Sequence, residues 1–442
     1  MDISRALQKP AFIALTRIAG AGLGFVTQAV LARLLGASGL GLFYSATSLA
    51  IVAGYVTTLG FSQTAARFAA RYRAEGRQAA FGRYVTRATM DSFAAGLAAA
   101  ILVGLAAAFL PGLATEERLT YGLAGLLLLA ATSLTLYTNL AGAIRAFGLC
   151  YLPEGVGRPL AFLILIAAAA LIGHSLSALL VMAIYTAVTG AIAMAQFVAT
   201  RRLLPAWSPT RPGDGRVHRH WRREAWPLIL LSLYTNTFAD IGILFATPFL
   251  AKSEIAVFGL CLKLSLLVGY VVQVAQQMAV PDLADARIAR DADGIRSAVR
   301  RATILPFAIT VAATLVCAAF GDRILGVFGP EFVHDYAVLV IVVASQAMRA
   351  AAGPGSQLLN LAGAQKTTAA LCLASLGSYV AATLALSPFF GPVGVALAVL
   401  ISFGVWVGGT AIALARLGEA RTDLGAALGR SEPAGEPSGR PA

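Results

Sequence analysis

Charge is what this chain of 442 residues has least of. Only 12% of its residues are Asp, Glu, Lys or Arg, about half the ~25% of soluble domains, and a water-soluble globular enzyme of this length is excluded. Cysteine is scarce as well: Cys150, Cys261, Cys317 and Cys372 are widely spaced with no Cys-x-x-Cys pair, so neither a disulfide framework nor a zinc site is indicated. No Gly-Lys dipeptide occurs, which removes a P-loop and with it an ATP-driven engine inside this chain. His-Glu-x-x-His and Gly-x-Ser-x-Gly are missing too, so the reading assigns no catalytic residue, metal or cofactor.

What the chain has in excess is apolar sequence, 58% of it. An apolar helix needs about 20 residues to cross a bilayer, and runs of that kind fall near 11–34, 41–65, 88–110, 119–144, 155–173 and 176–200, then near 226–250, 254–280, 301–320, 335–361, 368–387 and 392–415. The expectation is an all-α polytopic membrane protein with about twelve transmembrane helices. Met1 to Lys9 is a short basic lead into a run that carries Arg17, read as a retained first helix rather than a signal peptide.

Acidic residues are outnumbered 34 to 21, giving a net charge of +13. Nucleic acid is not the implied partner, because the aromatics sit inside the apolar runs and the basic residues cluster between them. With a cytoplasmic N-terminus, 27 Lys and Arg fall on the inside, four (Arg33, Arg118, Lys252 and Arg323) fall outside, and Arg17, Lys263 and Arg349 lie within spans. That asymmetry places both termini in the cytoplasm.

The chain also repeats. Asn139-Leu140-Ala141-Gly142-Ala143-Ile144-Arg145 closes the fourth run and Asn360-Leu361-Ala362-Gly363-Ala364-Gln365-Lys366 the tenth, and Leu31-Ala32-Arg33 matches Leu250-Ala251-Lys252 at almost the same offset. Six spans separate the copies, so they are parallel, two pseudo-symmetric six-helix lobes related by an axis along the membrane normal. The expected divisions are an N-terminal lobe over 1–200, a cytoplasmic basic linker over 201–225, a C-terminal lobe over 226–416 and a disordered cytoplasmic tail over 417–442. His218 and His220 in the linker lack a third ligand and are read as surface residues.

A cation near mid-span costs about 2.5–3.5 kcal/mol on insertion scales, so it should face a protein or aqueous interior. Helical spacing puts Arg17 with Gly20, Gly24 and Gln28, puts Lys263 with Tyr270 and Gln277, puts Ser345 and Arg349 with Ser356 and Asn360, and puts Asn236 with Asp240 and Thr247. These four stripes are read as one internal cavity. Arg17, Lys263 and Arg349 are its cationic substrate-binding candidates, while Asp240, Asn236, Gln28, Tyr270, Gln277, Ser345 and Ser356 are polar or coupling candidates. Arg17 lies only about 9 Å of helix from the cytoplasmic end, where snorkelling is an equal alternative. Asp240 is either an ion-pair partner of Arg17 or Lys263, the simpler role, or a protonatable coupling site. Asn139 and Asn360 are read as helix-end hydrogen bonders, and Gly20 with Gly24, like Gly404 with Gly408, as close-packing spacings. Three cations against one carboxylate favour an anionic substrate, and a pyrophosphate suits Arg forks and Lys point charges.

The run Gln28-Ala29-Val30-Leu31-Ala32-Arg33-Leu34-Leu35-Gly36-Ala37-Ser38-Gly39-Leu40-Gly41-Leu42-Phe43, then Leu59-Gly60-Phe61-Ser62 and Ala69 to Arg73, resembles the opening of bacterial polysaccharide biosynthesis (O-antigen) flippases. These belong to the multidrug, oligosaccharidyl-lipid and polysaccharide exporter superfamily. The resemblance covers about residues 10–415 in layout and is sharpest over the first 75, with Gly391-Pro392-Val393-Gly394 a later match. It implies a V-shaped transporter with a central cationic cavity. Such a protein flips a polyprenyl-pyrophosphate-linked oligosaccharide (an O-antigen, capsule or exopolysaccharide unit) across the bacterial inner membrane by alternating access, alongside membrane lipids, a glycan polymerase and assembly proteins. The rivals are a cation-coupled multidrug antiporter, a non-transporting scaffold of a glycan assembly complex and an integral-membrane glycan-processing enzyme.

Overall fold

The computed structural model describes residues 10–173, 176–204, 215–289 and 291–428. His174, residues 205–214 of the linker and the tail from 429 lie outside them, as does the side chain of Arg17, whose backbone is helical.

Among the described residues the chain is all α-helix, with turns, a π turn and a short 3-10 segment. Its order is α1 (Pro10–Thr57), α2 (Phe61–Ala74), α3 (Gln78–Phe109), α4 (Thr115–Ala143), α5 (Phe147–Leu152), a π turn (Pro153–Gly157) and α6 (Arg158–Leu171). Then come α7 (Ala178–Leu203), α8 (Gly215–Asn236), α9 (Phe238–Ala246), α10 (Lys252–Ala289) and α11 (Ala292–Gly326). After a 3-10 turn (Pro330–Asp335) follow α12 (Tyr336–Ala351), α13 (Gly355–Leu361), α14 (Gln365–Arg416) and α15 (Leu424–Leu428).

Nine helical stretches in the described residues are long and apolar enough to cross a membrane, and the protein is a multi-pass membrane protein. The count differs from the twelve apolar runs for local reasons. Gly36 (φ 63°) turns α1 and Gly391 (φ 52°) turns α14, so each of these long stretches joins two rods; a side chain would be strained at that positive φ. The stretch from Gly215 to Ala246 is broken at Thr237, between α8 and α9. Caps fix several other ends: Ser177 accepts from the Leu180 amide at the start of α7, and Asp291 accepts from the amides of Asp293 and Gly294 before α11.

One apolar run extends further than its hydropathy suggests. Residues 145–158 read as a loop, with the span beginning near 155, yet helix starts at Phe147 and continues without interruption to Leu171. Pro153 ends no helix here because it opens a π turn, where its missing N–H and its ring are accommodated. Glu154 and Arg158 therefore belong to a membrane-crossing helix rather than to a loop.

The apolar packing changes along the membrane normal. At the end carrying the turns near 112, 173, 249 and 329, called the far end, one core includes residues of both chain halves, among them Leu40, Phe43, Ile243, Phe258 and Val399. At the opposite end, called the basic end, the packing splits. Phe61, Phe68, Tyr84 and Tyr137 form a core in the N-half, while Leu283 with Val299, and Leu358 with Leu414, form two separate ones in the C-half. Helices in a bilayer associate through close packing, so the halves are fused where they share a core, while at the basic end they are linked through α8, whose Trp221 lies in the N-half core.

The far-end seam is tight. The Lys252 carbonyl lies against the Gly41 backbone, Tyr44 against Gly259, and Phe25 meets Phe328 edge-on at 5.5 Å. Arg33 donates to the Val327 carbonyl at 2.8 Å, and Lys252 pairs with Glu117 of the other half. Of the two close-packing spacings, Gly20 does touch a neighbour, its Cβ position being 2.6 Å from the Gly155 carbonyl of the π turn, whereas Gly24 and Gly408 face open space.

Candidate functional site

Between the C-half helices lies a cavity of about 330 Å³. Its walls come from α8 and α9 (Tyr234, Asn236, Asp240), α10 (Gln273, Gln276, Gln277), α12 and α13 (Gln346, Arg349, Ser356) and the second rod of α14 (Phe403, Trp406). The lining of α10 runs from Leu262 to Gln277, about 22 Å at 1.5 Å per residue, and its Gln277 end points toward the basic end, where the cores have separated.

The backbone breaks create this space. Gly353 (φ 63°) separates α12 from α13, and its carbonyl accepts from Gln276 Nε2 at 2.9 Å. Gln357 Nε2 in turn donates to Gln276 Oε1 at 3.3 Å, and the Ser356 hydroxyl donates to Gln357 Oε1 at 2.9 Å. This chain of bonds orients two amides on the wall. On the aromatic side, Trp406 lies 4.8 Å from Tyr234 at 31° between planes, and Phe238 stacks on Phe403 at 5.0 Å. The Tyr234 hydroxyl is shared with Ser375 at 2.9 Å.

Arg349 is half-buried, and among the described residues no hydrogen bond or ion pair engages its guanidinium. Asp240, the acid on the cavity wall, is occupied elsewhere: its Oδ1 accepts from the Ser48 hydroxyl of α1 at 3.1 Å. Gln273 and Gln277 make no hydrogen bond among the described residues, and Gln346, only 3% exposed, keeps an unpartnered Oε1. A buried cation and buried amide atoms left unpaired are costly unless a ligand or water meets them.

Five of the residues expected from helical spacing line this cavity: Asn236, Asp240, Gln277, Arg349 and Ser356. Others are placed elsewhere. Lys263 sits over the Tyr44 ring at 5.0 Å, and Gln28 accepts from the Tyr44 hydroxyl at 2.5 Å, so both belong to the far-end packing. Tyr270 is 46% exposed on another face of α10, and buried Ser345 donates back to the Val342 carbonyl at 2.6 Å. On α12 the cavity is lined by Gln346 and Arg349, so the expected stripe holds at Arg349 and fails at Ser345. No ion pair joins Asp240 to Lys263 among the described residues. Asn139 donates to the Thr135 carbonyl and Asn360 accepts from Thr368, both near helix ends.

Sequence reasoning missed the amides Gln273, Gln276, Gln346 and Gln357 and the rings of Tyr234 and Trp406. Their signal was available: glutamine inside an apolar run is rare enough to ask for a polar neighbour. It also missed the N-half charges. Arg158 lies 3.8 Å from Glu154 and 5.8 Å over the Tyr185 ring. No group of three or more His, Cys, Asp or Glu that could hold a metal occurs among the described residues, and the four cysteines are free thiols.

At the basic end, α8 carries the C-half into the N-half. Trp221, 1% exposed, inserts beside Phe68 and Tyr84 and donates from Nε1 to the Tyr72 hydroxyl at 3.0 Å. Around it Arg222 binds Asp91 at 2.7 Å, Arg67 pairs with Glu224, and His220 Nε2 lies 2.9 Å from Glu224. This described part of the linker is thus helical and docked, and His220 meets a carboxylate rather than a metal.

A family model described as polysaccharide biosynthesis protein matches residues 6–285. A search of curated proteins gives no match. Among solved structures, an inward-facing multidrug resistance MATE family transporter of the MOP superfamily superimposes with a TM-score of 0.71 at 15% identity, over 90% of this chain and 94% of that one. The lipid II flippase MurJ in an inward closed conformation gives 0.70 at 13% identity, over 92% and 87%. An outward-facing multidrug resistance MATE family transporter gives 0.56 at 15%, over 94% and 98%. The fold is therefore MATE-like and MurJ-like.

Proposed function

The chain belongs to the polysaccharide biosynthesis protein family, and from that premise we propose that it is a flippase. Its substrate is a polyprenyl-pyrophosphate-linked oligosaccharide, carried across the bacterial cytoplasmic membrane by alternating access, with the basic end and both termini in the cytoplasm. The observation that carries this reading is Arg349: a half-buried guanidinium with no carboxylate partner among the described residues, on the wall of a cavity shared with several amide side chains. A cation kept in that setting is matched by an anionic group, and a planar guanidinium fork suits phosphate oxygens.

The pyrophosphate binds at Arg349 from the cytoplasmic side, where the halves have separate cores, and the prenyl tail stays in lipid. Translocation then breaks the far-end seam at Lys252–Glu117 and Arg33–Val327. Lys263, now over Tyr44, lies next to that seam and is freed as it opens, a second cation on the exit side. Arg17 is kept as an entry-side candidate on its sequence position.

The test is transport in proteoliposomes loaded with a fluorescent polyprenyl-pyrophosphate oligosaccharide in one leaflet. Wild type should expose it in the other leaflet and Arg349→Ala should not; equal rates for both proteins would sink the proposal. A second reading has one observation behind it: Asp240 shares the cavity with aromatic rings, which suits an organic cation exchanged for protons. Proton-driven movement of a cationic dye, with no movement of the lipid-linked glycan, would favour that antiporter.

A further inference from the structure

We propose that residues 417–428 form a strap that fixes the break between α12 and α13, and that Thr422 and the Glu419–Arg287 pair are positioning residues for the cavity wall beside Arg349. With the strap docked, α13 is held against its neighbours. With the strap released, α13 pivots about Gly353 and the cavity opens further to the basic end. This goes beyond the flippase reading and holds whatever the cavity carries.

Two left-handed helix ends meet at the strap. At the first, Gly418 (φ 67°) closes α14: its amide donates to the Ala415 carbonyl at 3.2 Å and the Glu419 amide to the Leu414 carbonyl at 3.1 Å, which turns the chain back across the C-half. Asp423 then starts α15 by accepting from the Ala426 amide at 2.8 Å, and buried Ala427 packs with Leu283 of α10 and Val299 of α11. Between these points Thr422, 4% exposed, reaches the second helix end, at Gly353. The Thr422 hydroxyl donates to the Ala352 carbonyl at 3.1 Å, and the Thr422 carbonyl lies where a Cβ on Gly353 would be. Thr303 Oγ1 of α11 is 2.6 Å from that same point, so glycine is required there for space as well as for its positive φ.

The direction of α13 has to be imposed from outside. Its seven residues fall short of the ~12 at which an isolated helix becomes even marginal in water, and it follows a glycine. A break also leaves helix-end carbonyls without partners inside the helix. Three are met by other elements: Ala352 by Thr422, Gly353 by Gln276, and Leu361 by Arg287 Nη1 at 3.3 Å. Arg287 holds Glu419 as well, at 2.9 Å and 3.2 Å, so α10, the end of α13 and the strap join at one guanidinium. The bonded side chains of Ser356, Gln357 and Gln276 lie between these ties, and Arg349 is one turn before Gly353. Little apolar surface fastens the strap, since within 417–428 only Thr422 and Ala427 are buried. Polar contacts that water can replace therefore hold it, which makes it releasable without unfolding the C-half.

The experiment uses the full chain in nanodiscs with Ser356→Cys as a reporter and measures its rate of reaction with a water-soluble maleimide, above that of the chain without the added cysteine. The Kd for polyprenyl pyrophosphate and the melting temperature are read on the same proteins. Thr422→Val should raise the labelling rate about fivefold, the population shift expected for one net hydrogen bond, and weaken the Kd by a similar factor at unchanged melting temperature. Thr422→Ser, which keeps the hydroxyl, should match wild type. Glu419→Ala should act in the same direction as Thr422→Val, and Glu419→Gln, which still accepts from Arg287, should fall between it and wild type. The Glu419 variants keep the test decisive if Thr422→Val does not fold. Unchanged labelling in Thr422→Val and Glu419→Ala overturns the strap, as does faster labelling that only follows a fall in melting temperature. Faster labelling at unchanged melting temperature, with no protein binding polyprenyl pyrophosphate, supports the strap and counts against the flippase reading.

Discussion

In the N-half, Arg158 sits 3.8 Å from Glu154 and over the Tyr185 ring; in the C-half, Arg349 faces a cavity and is met by no carboxylate among the described residues. Both arginines are carried on membrane-crossing helices, so the cost of insertion is similar for each. What differs is how that cost is offset. Arg158 has a carboxylate beside it, whereas among the described residues Arg349 has none, which is why the proposed substrate contact is placed at Arg349.

The sharpest way to break this contrast is to remove each arginine and read transport and stability separately. Arg349→Ala should lower flipping of the lipid-linked glycan by at least about 30-fold, the equivalent of the ~2 kcal/mol lower bound for losing one side of a buried charged pair. Its thermal unfolding should stay at or above wild type, because a desolvated cation without a partner is removed. Arg349→Lys should recover part of the rate, as a point charge replaces a fork. A large drop in melting temperature with Arg349→Ala would make that residue structural and erase the distinction.

Trp221 tests whether α8 anchors the C-half to the N-half. Trp221→Ala should cost about 3–5 kcal/mol, as for other buried aromatics, read as a fall in melting temperature of the purified protein. Trp221→Phe should cost only about 1 kcal/mol, the hydrogen bond to Tyr72. If both variants melt like wild type, the docking of this helix contributes nothing to the fold.

Arg158 gives the complementary result to Arg349. Arg158→Ala leaves Glu154 without its cation; loss of one partner of a buried pair costs about 3–5 kcal/mol. With side-chain exposures of 21% and 40% for Arg158 and Glu154, we expect about 1–2 kcal/mol after solvent screening. The double variant Arg158→Gln/Glu154→Gln should melt higher than Arg158→Ala. Should Arg158→Ala instead abolish lipid-linked glycan binding at unchanged stability, the N-half would hold an anion site and the contrast would fall.

The sequence made much of this legible and hid the rest for identifiable reasons. Apolar runs and the distribution of Lys and Arg are sums over twenty or more residues, insensitive to where a helix bends, and they lead to the all-α, multi-pass architecture. Arg349, Asp240 and Asn236 could be picked because charge inside an apolar run is conspicuous. Side-chain direction is a finer quantity. Tyr270 falls off the cavity because the wheel is about a third of a turn out on α10, and Ser345 because it lies at the edge of the α12 stripe and turns back to the Val342 carbonyl. Gln28 and Lys263 lie on the expected helices but meet Tyr44 across the seam, a pairing decided by the other half. Arg158 was hidden by Pro153, which ordinarily marks a helix end and here opens a π turn.

The smallest effect concerns the far-end seam. Lys252 pairs with Glu117 across the halves with side-chain exposures of 43% and 13%, so Lys252→Ala should change global stability by only about 0–1 kcal/mol. The shared core beneath it is untouched by the change. What should move is the balance between conformations, since the pair exists only while the far end is closed, and its loss destabilises that state alone. Spin labels on Ala114 and Glu331, one in each half, should report a greater share of long distances in Lys252→Ala than in wild type, with Glu117→Gln giving the same shift. An unchanged distance distribution in both variants would mean that the apolar seam at Gly41, Tyr44 and Phe25 holds the far end closed by itself. Opening would then have to be driven by what binds at Arg349 rather than by the release of surface charge.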